Sequence, residues 1–419
     1  MRPRLASTFV SGLLTGALLA FVPTAASLAV DPPDEITNQN RRHSNPGTTD
    51  NMGGGWGPHL RSVLRASDDS LWFVHDQGPT TARNSSLRYR QRLGGQWIEV
   101  GSTNLDALGG QVQQNMAHVM VGHYIYSYGV DIARQRMVEC WLNTIVPSHQ
   151  SCHDVRISGQ PYTTPVGSNY VGAAVSPNGY RLVWWTSSGS PASFHHMWNF
   201  GSGWNGPVTS PVVIQGNHYH YAAYARAIFT GANTVDLLAQ VGVGQTFAVA
   251  AHARLTIGGS PPQATFSWIG HQDQAKSPHD IWEDADGGLH ALAVSSIPSA
   301  GITYFYKPTT GGWSPIKFFA GMTQARFQHD SYTDTLHLLG NEGPTLLLRS
   351  QAMAGHSGQL VFDDFDETTL SVPAGVNAAN LGGMYNMSRS YQTNDVKGLH
   401  FGVVGDHPAH DHRIFHYGD

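Results

Sequence analysis

The stretch Asp284-Ala285-Asp286-Gly287-Gly288-Leu289-His290-Ala291-Leu292-Ala293-Val294 decides the fold. A polar turn supplies Asp and Gly where the backbone reverses. The apolar run behind it is short and alternates with the period of a strand packed on its neighbours. The pattern returns along the chain. It occurs as Asp68-Asp69-Ser70-Leu71-Trp72-Phe73-Val74, Gly122-His123-Tyr124-Ile125-Tyr126 and Asn178-Gly179-Tyr180-Arg181-Leu182-Val183. Further copies are Asn233-Thr234-Val235-Asp236-Leu237-Leu238, Asp334-Thr335-Leu336-His337-Leu338-Leu339 and Lys397-Gly398-Leu399-His400-Phe401. The register residues Leu71, Tyr124, Tyr180, Val235, Leu289, Leu336 and Leu399 recur about every 55 residues, the scale of a propeller or solenoid unit.

A second strand is expected about 15 residues after each register position. Those segments are Leu87–Arg90, Met137–Trp141, Phe194–Trp198, Phe247–Ala250, Ile302–Tyr306, Leu346–Arg349 and Ile414–Tyr417, rich in aromatic and β-branched residues. A Gly-rich turn and a Trp then open an outer strand, as in Gly94-Gly95-Gln96-Trp97, Gly201-Ser202-Gly203-Trp204 and Gly311-Gly312-Trp313. An innermost strand precedes each register strand, for example Val171–Val175 or Ala222–Phe229. Helical periodicity is absent. The reading is an all-β chain: a seven-bladed β-propeller of four-stranded antiparallel blades, closed by an N-terminal strand. Because the last repeat runs out at Asp419, an outer strand must come from the N-terminal side. Gly53-Gly54-Gly55-Trp56 imitates the outer-strand signal, so residues near Trp56 are expected to complete the last blade.

Residues 1–29 read as a secretory signal peptide: Arg2 and Arg4, an apolar run from Phe9 to Val22, and small residues at Ser27-Leu28-Ala29. Residues 30–55 read as a polar lead-in and residues 56–419 as the propeller. Later apolar runs fall short of the roughly 18 residues of a membrane span. The mature chain is thus expected to be secreted, extracellular or periplasmic. Loss of the two arginines takes the formal charge from −5 to −7. Without a polybasic run, nucleic acid and membrane are poor partners. A monomer is expected. Cys140 and Cys152 fall on neighbouring predicted strands; a disulfide and a pair of buried thiols both fit.

In a propeller the starts of the innermost strands rim a central funnel. Counting back about ten residues from the register positions gives Arg61, Asn115, Tyr170, Arg226, His279, Arg326 and Arg389, with neighbours His59, His118, His220, Tyr224 and Tyr391. Four arginines in an acidic chain suit carboxylate or sulfate groups. Histidine and tyrosine can exchange protons beside them. An acidic polysaccharide is the natural substrate. Pairing of these arginines with acids inside the tunnel is the bland alternative. His279 follows Ser277-Pro278 and precedes Asp280, which could orient it. His59 repeats the Pro-His step, and His75 ends the next strand on the same face. His218 and His220 lie at the start of the fourth repeat. His290, His337 and His400 share one place in the repeat and are read as structural. His407, His410 and His412 crowd the last loop and could hold a divalent ion, zinc or calcium; a solvated His-rich loop is the alternative. G-x-S-x-G, P-loop and H-E-x-x-H motifs are absent.

The Gly-x-Leu-His turn at Gly287–His290 and the Gly-Gly-x-Trp strand at Gly94–Trp97 resemble the sialidase-type (BNR-like) propellers of exported carbohydrate-active proteins. The resemblance spans residues 56–419. The S-x-D-x-G-x-x-W Asp-boxes of sialidases are absent. Within that group the chain is most similar to the seven-bladed polysaccharide lyases of the ulvan-lyase type. The resemblance implies β-elimination next to a uronic acid, with His, Tyr and Arg at the funnel. On that reading Arg226 and Arg326 neutralise the carboxylate, and Arg61 and Arg389 extend the binding surface. His279 or His220 is the base, Tyr170 or Tyr224 the acid, His59 and His75 the reserve pair, and His118 a supporting residue. Two other readings compete. A glycoside hydrolase would need a carboxylate pair, and a sugar-binding propeller without chemistry would repeat its aromatic pockets from blade to blade.

Overall fold

The computed structural model describes residues 116–370 apart from short loop segments. It also describes the turn after Arg65 and the strands Asp34–Glu35, Val63–Arg65, Leu71–Gln77, Ser85–Gln91, Trp97–Asn104, Met384–Tyr385, Leu399–Val404 and His412–Tyr417. Side chains are described mainly within 116–370. The chain is a β-propeller. The described strands form six four-stranded sheets, one six-stranded sheet and a small hairpin. Among the described residues the only helical segment is the single turn Phe362–Asp364. None is long and apolar enough to cross a membrane.

Each register residue lies within one residue of the start of the second strand in its unit. These strands are Leu71–Gln77, Tyr124–Asp131, Arg181–Ser187, Thr234–Val243, Leu289–Ser295, Thr335–Glu342 and Leu399–Val404. The inner strands before them are Val63–Arg65, Ala117–Val121, Ser168–Val175, Tyr221–Phe229, Ser277–Glu283, Met322–Asp330 and Met384–Tyr385. Inner strands of successive units touch one another in this order, and Leu399–Val404 of the last unit touches Val63–Arg65 of the first. In the third unit the outer strand Trp204–Pro211 is extended by a hairpin, joined in parallel through Ile157 and Trp204.

The alternation in the sequence reports burial imperfectly, because the middle strands are covered on both faces. Leu289–Ser295 is buried at every position but one, whereas the outer strand Ser314–Ala320 is largely exposed. A strand sandwiched between neighbouring sheets loses its polar face. The core therefore lies between units. Leu182, Trp184 and Phe194 of the third unit pack with Ala227, Phe229, Val235 and Leu237 of the fourth. Each such side chain, fully buried, contributes about 1.5–3 kcal/mol, and these contacts fasten the ring unit to unit.

The closing strand is N-terminal, as the sequence requires, but it is not at Trp56. Asp34 pairs with Ile414 and Glu35 with Arg413, so the lead-in supplies the outer strand of the last unit. Trp56 lies outside the described residues. An edge strand is held by backbone hydrogen bonds, which carry no sequence signature, so the Gly-Trp motif was no guide to it.

Cys140 and Cys152 face each other on adjacent strands and are joined in a disulfide, which settles the open choice between bridge and thiols. The bridge ties the third strand of the second unit to its outer strand across a separation of 12 residues. Replacing both cysteines by serine is expected to lower unfolding free energy by about 2–3 kcal/mol, the effect of a loop of that size. Urea denaturation of the oxidised and the double-serine proteins measures it; equal midpoints would refute the expectation.

Candidate active site at the inner strands of the fifth and sixth units

Four successive inner strands share a feature that their sequences do not advertise. Each carries one extra residue relative to its partner strand. The register shifts between Asn169 and Gly172, between Ala223 and Arg226, between Pro278 and Asp280, and between Met322 and Gln324. A bulge leaves one residue outside the ladder and re-aims its side chain. The residues set out of register include Tyr170 and His279, counted from the repeat as funnel residues, and Tyr224, one of their neighbours. Pro278, which lacks an N–H, sits beside one bulge on the free inner edge, where proline is tolerated.

His279 and Arg326 come together. The third residue of Ser277–Glu283 accepts a hydrogen bond at Nδ1 from the Ala325 backbone N–H of the next inner strand, at 3.3 Å. Arg326 follows Ala325 and donates from Nη1 to the Ala325 carbonyl at 2.8 Å. Both side chains are largely buried, with 8% of His279 and 7% of Arg326 exposed. Burial, reinforced by the Arg326 charge, drives the His279 pKa well below its ordinary value. His279 is therefore neutral near pH 7. With Nδ1 accepting, its proton resides on Nε2, which makes that nitrogen a donor.

Asp280 does not serve as the orienting partner of His279 in any described hydrogen bond. Its Oδ1 accepts from the Ile281 N–H at 2.9 Å and its Oδ2 from the Phe327 N–H at 2.8 Å. The carboxylate thus staples the two inner strands and fixes the frame in which His279 and Arg326 sit. Gln328, fully buried two residues after Arg326 on the same strand, belongs to this polar column and was not singled out from sequence. Its period-two spacing from Arg326 was the available signal.

Other expected site residues are placed as follows. Tyr170, Tyr224 and Arg226 lie on the inner strands of the third and fourth units, His75 on the second strand of the first, and His412 on the strand His412–Tyr417. Their side chains are outside the described residues. His59, Arg61, His220, Arg389, His407 and His410 lie outside the described residues altogether. His118 is buried on the inner strand of the second unit, with Nδ1 2.9 Å from Ser127 Oγ of its own sheet; no described contact brings it to His279. Two of the three repeated histidines, His290 and His337, sit in hydrogen bonds of the sheets, and the side chain of His400 lies outside the described residues. His290 bridges Tyr304 Oη at 2.8 Å and Asp284 at 3.1 Å in the core, and His337 bonds Ser350 Oγ at 2.7 Å. No cluster of three or more His, Cys, Asp or Glu side chains suited to a metal exists among the described residues.

No protein-family model matches the chain, and no curated protein matches it. Solved structures that it resembles are β-propellers. The polysaccharide lyase Uly1 is 10% identical over 94% of this chain and 97% of that one, with a TM-score of 0.52. The BP39L lectin from Burkholderia pseudomallei is 11% identical over 86% and 95%, with a TM-score of 0.55. A protein of unknown function from Dyadobacter fermentans DSM 18053 is 10% identical over 94% and 99%, with a TM-score of 0.50. At these identities the likeness concerns the fold.

Proposed function

We propose that the protein is an exported lyase that cleaves a uronate-containing polysaccharide by β-elimination. The observation that carries the reading is a buried guanidinium, Arg326, beside a histidine held neutral with its proton on Nε2. A buried cation with a planar fork suits a carboxylate. Neutralising the uronate carboxylate makes the C5 proton acidic, and charge then develops on the carboxylate as that proton leaves. Arg326 stabilises that charge, and the His279 Nε2–H donates to it or to the departing O4. A neutral imidazole polarises an oxygen without itself losing a proton. This exchanges the roles set out from the sequence: His279 donates, and the base is sought among Tyr170 and Tyr224 of the inner strands of the third and fourth units and His220. The electron pair of the C5–H bond forms the C4–C5 double bond as the C4–O4 bond breaks, and the proton that the base takes from C5 passes to the departing O4, so water is not consumed and the base is restored.

The hydrolase reading is less well supported. It requires a carboxylate able to give up a proton, and both Asp280 oxygens are engaged by backbone N–H groups. Asp284 is bound to His290 and to the backbone of its own turn. Export is supported by the disulfide, which persists in oxidising compartments, together with the leader-like residues 1–29.

Ulvan, glucuronan, pectin, alginate, heparinoids and arabinogalactan, incubated with the protein and followed in the ultraviolet, test the reading. An unsaturated uronate product should absorb on one of them. Release of reducing ends without that absorbance would overturn it in favour of hydrolysis. Binding without either would leave a lectin.

A further inference from the structure

The second unit presents a run of aromatic rings on the face turned toward the third. Tyr124, Tyr126 and Tyr128 occupy every second position of Tyr124–Asp131 and so share that face. Their burial is graded: Tyr124 is 39% exposed, Tyr126 is half-buried and Tyr128 is fully buried. Trp141 pairs with Tyr126 across the sheet, and its ring lies 6.0 Å from that of Tyr124 at 73°. The two rings make a corner open to solvent.

Behind the corner, the units are locked together. Arg181 of the third unit stacks 4.0 Å over the Tyr126 ring, with its guanidinium 5.3 Å from the Trp204 ring. Its Nη1 donates to Glu139 Oε2 at 2.8 Å and to Tyr128 Oη at 3.0 Å. The arginine and the glutamate cancel each other's charge. This lock needs Tyr126, Tyr128 and Trp204. It does not need Tyr124 or Trp141, which carry the ladder outward past it. Exposed Ser151, opposite Trp141, and exposed His153, opposite Glu139, add hydrogen-bonding groups on the same face. Tyr124 opens its strand just after the inner strand ends at Val121. That is the opposite rim from the one where the inner strands of the fifth and sixth units begin.

Flat amphipathic rings with polar neighbours and no net charge match the apolar C–H face and hydroxyl rim of a pyranose. We propose that the Tyr124–Trp141 corner is a second carbohydrate-binding site, which stacks a neutral sugar residue of the polymer whose uronate is taken at Arg326. The choice of polymer rests on the function proposed above; the stacking chemistry does not. The division of labour follows from charge: the internally cancelled corner takes neutral rings, and the buried cation takes the acid.

Affinity electrophoresis of the whole protein in native gels containing ulvan, glucuronan or arabinogalactan tests this. Retardation is expected in at least one gel. It should weaken at least about fivefold in apparent affinity in Tyr124→Ala and in Trp141→Ala, as loss of one stacking ring implies. It should persist at about 0.5 M salt, because stacking is not screened. Tyr124 is exposed, so its substitution leaves the lock and the fold in place. No retardation in any gel would overturn the proposal, as would retardation unchanged by both substitutions or abolished by salt. Retardation that responds to the corner while all polymers stay silent in the ultraviolet would overturn the lyase reading alone.

Discussion

Lowering the pH from 7 to about 4.5 is expected to unfold the protein, and the cause is buried neutral histidine. Burial lowers the pKa values of His195, His196 and His337 to about 4, with the neighbouring His195 adding to the effect at His196. His196 is fully buried between the third and fourth units, and neither of its ring nitrogens has a hydrogen-bond partner among the described residues. In the unfolded chain each of the three titrates near 6.5. Between these values the unfolded state binds more protons than the folded one. Stability therefore rises with pH across that window and is lost as pH falls from about 6.5 toward about 4. Each group contributes up to about 3 kcal/mol. Together they rival the roughly 5–15 kcal/mol that holds a domain folded.

Asp236 acts in the same direction at lower pH. Burial alone would raise its pKa, but hydrogen bonds from His252, Arg254 and Thr230 outweigh burial and hold it at about 2. Its contribution is lost only as pH falls below about 4. Urea midpoints measured from pH 7.5 to 4.5 should fall steeply below pH 6. His196→Phe keeps an aromatic ring and should reduce the slope by up to about 1.4 kcal/mol per pH unit. A midpoint unchanged between pH 7 and pH 5 would show that these imidazoles are not buried as described.

Arg326→Gln is expected to lower kcat/KM on the productive polymer by about 10²–10³-fold, the usual effect of removing one preorganised charge from a transition state. The loss should fall mainly on kcat, because the carboxylate gains charge as C5 is deprotonated. Arg326→Lys should recover part of it, since lysine restores the charge without the planar fork. The discriminating control is the polymer with its uronate carboxyls reduced to alcohols. Wild type and Arg326→Gln should handle it equally poorly. A substitution that left turnover of the native polymer within about threefold would remove Arg326 from the reaction, since charge-assisted contacts rarely contribute so little. His279→Gln should lower kcat by about 10²-fold or more. It should leave the neutral-pH limbs of the rate profile in place, because His279 does not titrate there.

The strands were legible because their signal is local. Leu289 and Leu336 follow turns in which Gly287 and Asp334 reverse the chain, and the period survives even where both faces are buried. The position of the site was legible in part, since counting from the register reached His279 and Arg326. The count needed a one-residue adjustment at Arg226, which pairs in unbroken register back to Val235; the bulge between Ala223 and Arg226 lies beyond it. The role of His279 was not legible. It depends on an N–H from Ala325, 46 residues away and on another unit. Asp280 likewise was expected to orient its neighbour, yet its oxygens are engaged by its own strand and the next.

By itself the sequence determined that this chain is an all-β repeat of four-stranded units with Arg, His and Tyr near the starts of its inner strands. Turn chemistry and side-chain alternation act over a few residues and are written where they act. Tertiary structure alone decided which short strand closes the ring, where the inner strands bulge, and which nitrogen of His279 carries its proton. Those outcomes rest on backbone hydrogen bonds and burial between segments far apart in the chain, and no local pattern encodes them.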